Sequence, residues 1–250
     1  MERIEPRTPS GFRDYGPQEA QARARMLDTI KTVFEHHGFA PLDTPAMEHL
    51  DVLTGGDPNF SKQLYHASLT EDDQPLGMRF DLTVPMARYV AAHASELSFP
   101  FSRYQIGPVW RGEHAQAGRY REFMQCDADI VGSTGTLADA QIIALAYRAF
   151  EALGLGAQVV LRVSDRMLLA GLAEYLDYTS DLTVHVVRSI DKLEKQGWEV
   201  VARELGEHGL DAQQIDGIQE LLSIEASTAE QRIEQANTLL TGATTSLAAL

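Results

Sequence analysis

The chain has 250 residues, 21 basic and 36 acidic side chains, a formal net charge of −15 and 44% hydrophobic residues. That apolar fraction is enough to bury a core, which excludes disorder as the main state. The acidic balance argues against sequence-blind binding to nucleic acid. No apolar run approaches the roughly 18 residues a membrane helix needs, and the N-terminus Met1-Glu2-Arg3-Ile4-Glu5-Pro6 lacks the apolar core of a secretory signal. The single cysteine, Cys126, excludes an internal disulfide and a cysteine-built metal centre, so a cytoplasmic protein is expected.

Residues 17–37 read as an amphipathic helix. Pro17 suits its first turn, Ala20, Ala24, Leu27, Ile30 and Phe34 recur at helical spacing, and Gly38 suits its end. Residues 39–42 look extended, but Pro41 and Pro45 cannot donate ladder hydrogen bonds, which places this strand at an edge or an interface. A strand is expected near 78–82 and a helix over 84–93. Strands over 103–111 and 121–131 form a hairpin around a polar, glycine-containing loop. The second of these alternates with period two. Met124, Cys126, Ala128 and Ile130 share one face, and Phe123, Gln125, Asp127 and Asp129 share the other. The first face is a natural core face, which makes Cys126 a core residue. The second holds an amide and two carboxylates that are costly to bury without partners. Thr136 to Asp139 resembles a capping box opening a helix to about Leu153, followed by a strand over 158–164 and a short helix over 166–176. This order predicts an α+β arrangement, an antiparallel sheet flanked by helices, over residues 1–179. From 180 to 250 the chain reads as a helical module, with helices over 184–195, 199–207, 212–223 and 228–240.

Only 4 of the 21 basic residues are Lys. Six Arg fall in one Lys-free window: Arg79, Arg88, Arg103, Arg111, Arg119 and Arg121. Arg offers a planar fork to phosphate or carboxylate. Salt bridging to the many acids and an anion site for a nucleotide or carboxylate both remain open on composition. The eight His are scattered without metal-ligand spacing, so no protein-held metal is expected.

Four stretches carry further information. They are 38–48 with Pro41 and Pro45; Arg79-Phe80-Asp81-Leu82-Thr83-Val84-Pro85; Trp110-Arg111-Gly112-Glu113 returning through Arg119-Tyr120-Arg121-Glu122-Phe123; and Met124-Gln125-Cys126-Asp127-Ala128-Asp129. In this order they resemble class II aminoacyl-tRNA synthetases, specifically the histidyl-tRNA synthetase family. Residues 9–14 and 190–198 match that family in character, so the resemblance spans essentially the whole chain. The first stretch is similar to motif 1, which builds a dimer interface; the third is similar to motif 2. The second and fourth resemble segments lining the amino-acid pocket.

The resemblance implies histidine, ATP with Mg2+, and a histidine tRNA as substrates, a histidyl-adenylate intermediate and a homodimer. It implies Arg111 as the catalytic contact to the ATP α-phosphate, Glu113 as acceptor from the adenine amino group, and Arg119 near the γ-phosphate or ordering the loop. Asp81 and Thr83 match the ammonium-binding positions, and Gln125 and Asp129 match further histidine-binding positions. Asp127 shares their face without a matched position. Thr83 also suits the cap of the helix that follows it. These roles agree with the residues' chemistry, since a bidentate guanidinium stabilises charge developing on phosphate and carboxylates suit an ammonium or imidazole.

Motif 3, the family's Arg-Gly-Leu-Asp-Tyr-Tyr segment and the anticodon-binding domain are not found in the sequence. The expectation is an N-terminal part of the enzyme, 1–179 being catalytic core and 180–250 a helical insertion, with at most feeble adenylate formation alone. The rival is the regulatory subunit of ATP phosphoribosyltransferase, a histidine-binding paralogue without ligase activity. A non-catalytic dimerising fragment is a second alternative.

Overall fold

The structure, a computed structural model, describes residues 5–55, 64–67, 74–112, 118–163, 166–225 and 228–240. These fall into two compact units, one up to Leu161 and one from Arg162.

In the first unit, Pro17 opens α1 (Pro17–His36), and Gly38 at φ +82° turns the chain out of it. The edge strand β1 (Ala40–Pro41) follows, then β2 (Met47–His49), α2 (Leu50–Thr54), β3 (His66–Ala67), β4 (Leu76–Met78), α3 (Thr83–Ala92), β5 (Phe101–Trp110), β6 (Glu122–Val131) and α4 (Thr136–Ala152). One sheet has the order β1-β5-β6 and the other β2-β4-β3. β1 runs parallel to β5, the edge position expected from its proline, while β5 and β6 form the long antiparallel hairpin.

The hairpin register is set by what each face buries. Tyr104 and Ile106 of β5 and Cys126, Ala128 and Ile130 of β6 pack on Phe34 of α1 and Leu145 of α4. A one-residue slip would turn that apolar set to the opposite side. Cys126 and Ala128 line an apolar hollow of about 290 Å³ with Ile30, Phe34 and Leu145, as expected for a core cysteine. The opposite face is left to Arg103, Gln105, Gln125, Asp127 and Asp129.

Several sequence expectations change. The strand foreseen at 78–82 ends at Met78, as β4. α3 begins at Thr83, and Asp81 rather than Thr83 satisfies its first turn, accepting from Val84 N at 3.0 Å. Thr136 lies inside α4, whose N-cap is Gly135 with no side-chain cap. The strand foreseen over 158–164 is instead a 3-10 turn (Gly156–Gln158) followed by chain with no strand pairing through 163. Val160 and Val163 are 81% and 70% exposed there. β-branched residues favour a strand only where a neighbour supplies hydrogen bonds and packing, and no described segment does so here.

The second unit contains α5 (Arg166–Tyr175), α6 (Thr183–Ile190), α7 (Leu193–Gln196), α8 (Trp198–Glu207), α9 (Ala212–Leu222) and α10 (Ala229–Leu239). Its core is Leu172, Val186, Val201, Leu205, Ile218 and Leu240. Leu172 belongs to α5, so α5 buries its apolar face in the helical unit, which begins at Arg162. The single helix foreseen over 184–195 is broken into α6 and α7. Lys192, at the break, bonds both oxygens of Glu204 at 2.7 and 2.8 Å, and Ser189 bonds the same carboxylate. Asp211 and Gln214 form a reciprocal capping box on α9.

Candidate active site

The polar face of the hairpin builds the site. Register places Arg103 opposite Asp129, Gln105 opposite Asp127 and Gly107 opposite Gln125. Directly opposed residues share a face, so β5 contributes a cation and an amide where β6 contributes two carboxylates and an amide.

Arg103 is fully buried. Its Nη2 lies 2.6 Å from Asp129 Oδ2, an ion pair without the alignment of a hydrogen bond, and donates to the Leu82 carbonyl at 3.2 Å. Asp81 comes from the turn before α3 and interacts electrostatically with both Arg103 and Asp127. Burial lifts the Asp127 carboxyl above the usual carboxylate range, and Asp129 and Asp81 push the same way, while Arg103 and Arg111 oppose them. Burial likewise lowers the Arg103 guanidinium, against the pull of Asp129, Asp127 and Asp81. Gln125 Oε1 is buried with no hydrogen-bond partner among the described residues. A buried acceptor left open in this way suits a ligand N–H.

Arg111, just past the end of β5, is held from three directions. Its Nε donates to the Phe80 carbonyl at 3.1 Å, its guanidinium lies 4.9 Å from the Phe123 ring centroid, and its backbone N–H donates to Arg121 O at 2.8 Å. The Phe80 contact brings it next to Asp81 in the chain. Behind this face, buried Arg79 donates from Nη1 to Thr44 O at 2.7 Å and from Nε to Pro108 O at 3.0 Å. Gln105, turned so that its oxygen faces donors, accepts from the same Arg79 Nη1 at 3.2 Å and from Thr44 N at 3.1 Å. Glu48, also buried, accepts from Arg88 Nε and Nη2 at 2.9 and 2.7 Å.

The structure therefore brings Asp81, Gln125, Asp129 and Arg111 to one region. Thr83 is exposed on the first turn of α3, two residues after Asp81. Arg119 is exposed at the exit of the hairpin loop, and Glu113 lies outside the described residues. The N-terminal segment, which sequence reading left without a role, clamps the return of that loop. Arg121 N donates to Gly11 O at 2.8 Å, and Arg13 donates to the Tyr120 hydroxyl at 3.1 Å. Arg103, Arg79 and Gly107 were missed as site-building residues. The signal was the alternation of β5, informative only when set against β6 in register. Among the described residues no three His, Cys, Asp or Glu side chains gather as a metal site.

Comparison with known proteins identifies this architecture. The profile of the family described as histidyl-tRNA synthetase matches residues 11–250. The chain belongs to the histidyl-tRNA synthetase family. It is 47% identical over 219 residues to a histidine–tRNA ligase of Rhodopirellula baltica, covering 86% of this chain and 48% of that protein. It is 47% identical over 221 residues to a histidine–tRNA ligase of Aeropyrum pernix, covering 87% and 50% respectively. The crystal structure of histidyl-tRNA synthetase from Nostoc sp. PCC 7120 superposes with a TM-score of 0.87 at 33% identity, covering 98% of this chain and 56% of that one. The chain thus spans about half the length of the curated relatives it matches. The fold is the α+β class II synthetase fold, with an additional helical unit.

Proposed function

We propose that this chain carries the histidine-recognising and part of the ATP-activating machinery of a histidine–tRNA ligase. The observation that carries the reading is the cluster of Asp81, Asp127 and Asp129 about one buried Arg103, beside the open acceptor of Gln125 and within reach of the segment that holds Arg111. An excess of negative charge with an open acceptor suits a cationic amino acid that also offers an N–H. Asp81 and Thr83 receive the α-ammonium, and Gln125 and Asp129 contact the remainder of histidine. A carboxylate oxygen of histidine attacks the ATP α-phosphorus and pyrophosphate leaves; a tRNA hydroxyl then attacks the acyl carbon and AMP leaves. Arg111 is the catalytic residue, stabilising charge at the α-phosphate. Glu113 takes the adenine amino group and Arg119 the γ-phosphate side. ATP enters as its Mg2+ complex, the metal travelling with the substrate. The curated relatives, ligases at 47% identity, support this over a regulatory paralogue. The functional unit is a homodimer formed through α1 and the edge strand β1, in the cytoplasm, with 180–250 as an insertion module.

Calorimetry tests the pocket. Histidine binds in preference to other amino acids, and Asp129→Ala weakens it at least about tenfold, since a charged hydrogen-bond acceptor is lost. Unchanged affinity in that variant, or preference for another amino acid, overturns the reading.

A further inference from the structure

Among the described residues Arg103 heads the fully buried side chains by size, and it is charged. A guanidinium taken out of water is expensive unless fixed charges compensate it. Here Nη2 meets Asp129 and the Leu82 carbonyl, while Nε and Nη1 have no hydrogen-bond partner among the described residues. A residue kept only for scaffolding would gain more from an apolar side chain than from a half-satisfied cation. Its surroundings give it another use. Asp127 and Asp129 face it from β6, Asp81 from the turn before α3, and Arg111 acts on Asp127 from the end of its own strand; Gln105 and Gln125 are the neutral neighbours. Without Arg103, three carboxylates would share a partly dehydrated face and repel one another.

We propose that Arg103 is a positioning residue for the histidine pocket: from beneath the face it offsets the negative charge of Asp127 and Asp129 and aims Asp129 at a cationic ligand. This rests on reading that face as the histidine site. Being fully buried, Arg103 does not itself meet the ligand. It cancels one of the negative charges contributed by Asp81, Asp127 and Asp129 and leaves an excess that favours a cation. Its side chain is fixed at two points, by Asp129 and by the Leu82 carbonyl. The second contact links the β6 carboxylates to the turn carrying Asp81 and Thr83, so the two halves of the pocket share one anchor.

The test combines carboxyl carbon NMR titration with histidine calorimetry on the full chain, unsubstituted and as Arg103→Lys and Arg103→Met. Arg103→Met raises the Asp127 titration midpoint further, because the cation that opposes its rise is gone. The substitution weakens histidine about tenfold or more below neutrality, and the deficit shrinks toward pH 8 as that carboxylate ionises. The ratio of variant to unsubstituted affinity cancels the titration of histidine's own imidazole. Arg103→Lys keeps the midpoint near its original value and recovers part of the affinity. A midpoint that stays put in Arg103→Met, or an affinity loss independent of pH, overturns the proposal. If Arg103→Met does not fold, the unsubstituted chain decides: the Arg103 side-chain N–H resonances must move through the carboxylate titration, and fixed resonances refute the role. Failure of histidine to bind the unsubstituted chain refutes the pocket assignment instead, while the midpoint and resonances still decide whether Arg103 governs these carboxylates.

Discussion

Gly107 stands in the middle of β5, where glycine normally weakens a strand relative to alanine by about 0.5–1 kcal/mol. The reason for it is Arg79. A Cβ at position 107 would come within 2.6 Å of Arg79 Nη2, and Leu82 Cδ2 stands 3.8 Å away on the same side. Arg79 is only 5% exposed. Its Nη1 bond to Thr44 O and Nε bond to Pro108 O hold the segment after β1 to β5. Gly107→Ala must displace the guanidinium from at least one of these. Hydrogen bonds from a charged donor contribute about 1.5–3 kcal/mol each, and a buried carbonyl left open adds to the loss. Setting the backbone gain of alanine against partial retention of the Arg79 bonds by rotation, the net loss is about 2–4 kcal/mol.

The assay is urea unfolding followed by Trp110 fluorescence in a Trp198→Phe background, since the two tryptophans lie in different units. The same substitution is then made in Arg79→Met, where the flexible thioether yields to the new methyl and Gly107→Ala becomes neutral or stabilising. A double-mutant cycle reads the coupling directly. No loss in the first background, or an equal loss in both, refutes the steric argument.

Other outcomes follow from the same geometry. On the proposed dimer, the chain sediments as a dimer at micromolar concentration, and Met47→Asp, at a half-exposed position at the start of β2, shifts it toward monomer; a monomeric unsubstituted chain sinks the interface assignment. Cys126 reacts with iodoacetamide more slowly than a free thiol at pH 8, because burial raises its thiol and leaves less thiolate; labelling at the free-thiol rate contradicts its place on the core face. Asp127 binds its proton more tightly folded than unfolded, because burial raises its carboxyl. Its ionisation therefore removes stability as pH rises from the ordinary carboxylate range through the raised value. Asp127→Asn flattens that decline and is the more stable protein at pH 7 relative to pH 4 by urea midpoint; an identical pH dependence in both proteins refutes the assignment.

What the sequence reveals depends on whether the information is local. The faces of β6 are legible because alternation needs only that strand: Cys126, Ala128 and Ile130 go to the core, and Gln125, Asp127 and Asp129 go opposite. The edge character of β1 is legible because Pro41 lacks an N–H. Arg103 stays hidden because its meaning lies in its partner across the ladder, 26 positions away in the register Arg103↔Asp129. The strand foreseen at 158–164 fails for the same reason in reverse: Val159 to Val163 has the composition of a strand but no described neighbour to pair with. The packing of α5 is not legible in the same way: periodicity shows its apolar stripe, and only the folded core shows that Leu172 joins the helical unit.

The arginine-rich, lysine-free window posed a choice between salt bridging and anion binding, and the residues divide between the two. Arg79 bonds carbonyls and Arg88 bonds Glu48 through directional guanidinium contacts that an ammonium could not reproduce, and Arg103 sits against Asp129 and the Leu82 carbonyl. These arginines build walls and floor. Arg111 differs in kind. It commits Nε to the Phe80 carbonyl and stacks one face on Phe123, a geometry that fixes the plane of the guanidinium at the strand end. A fixed plane is what a bidentate phosphate contact requires, because the orientation is then set before substrate arrives. Arg119, exposed past the loop, has no such restraint among the described residues. A chain of net charge −15 thus concentrates its cations where carbonyls and carboxylates must be held and leaves one oriented fork for an anion. On this division and the proposed ATP role of Arg111, Arg111→Lys keeps the charge yet weakens ATP binding by calorimetry, while Arg88→Lys lowers the urea midpoint first.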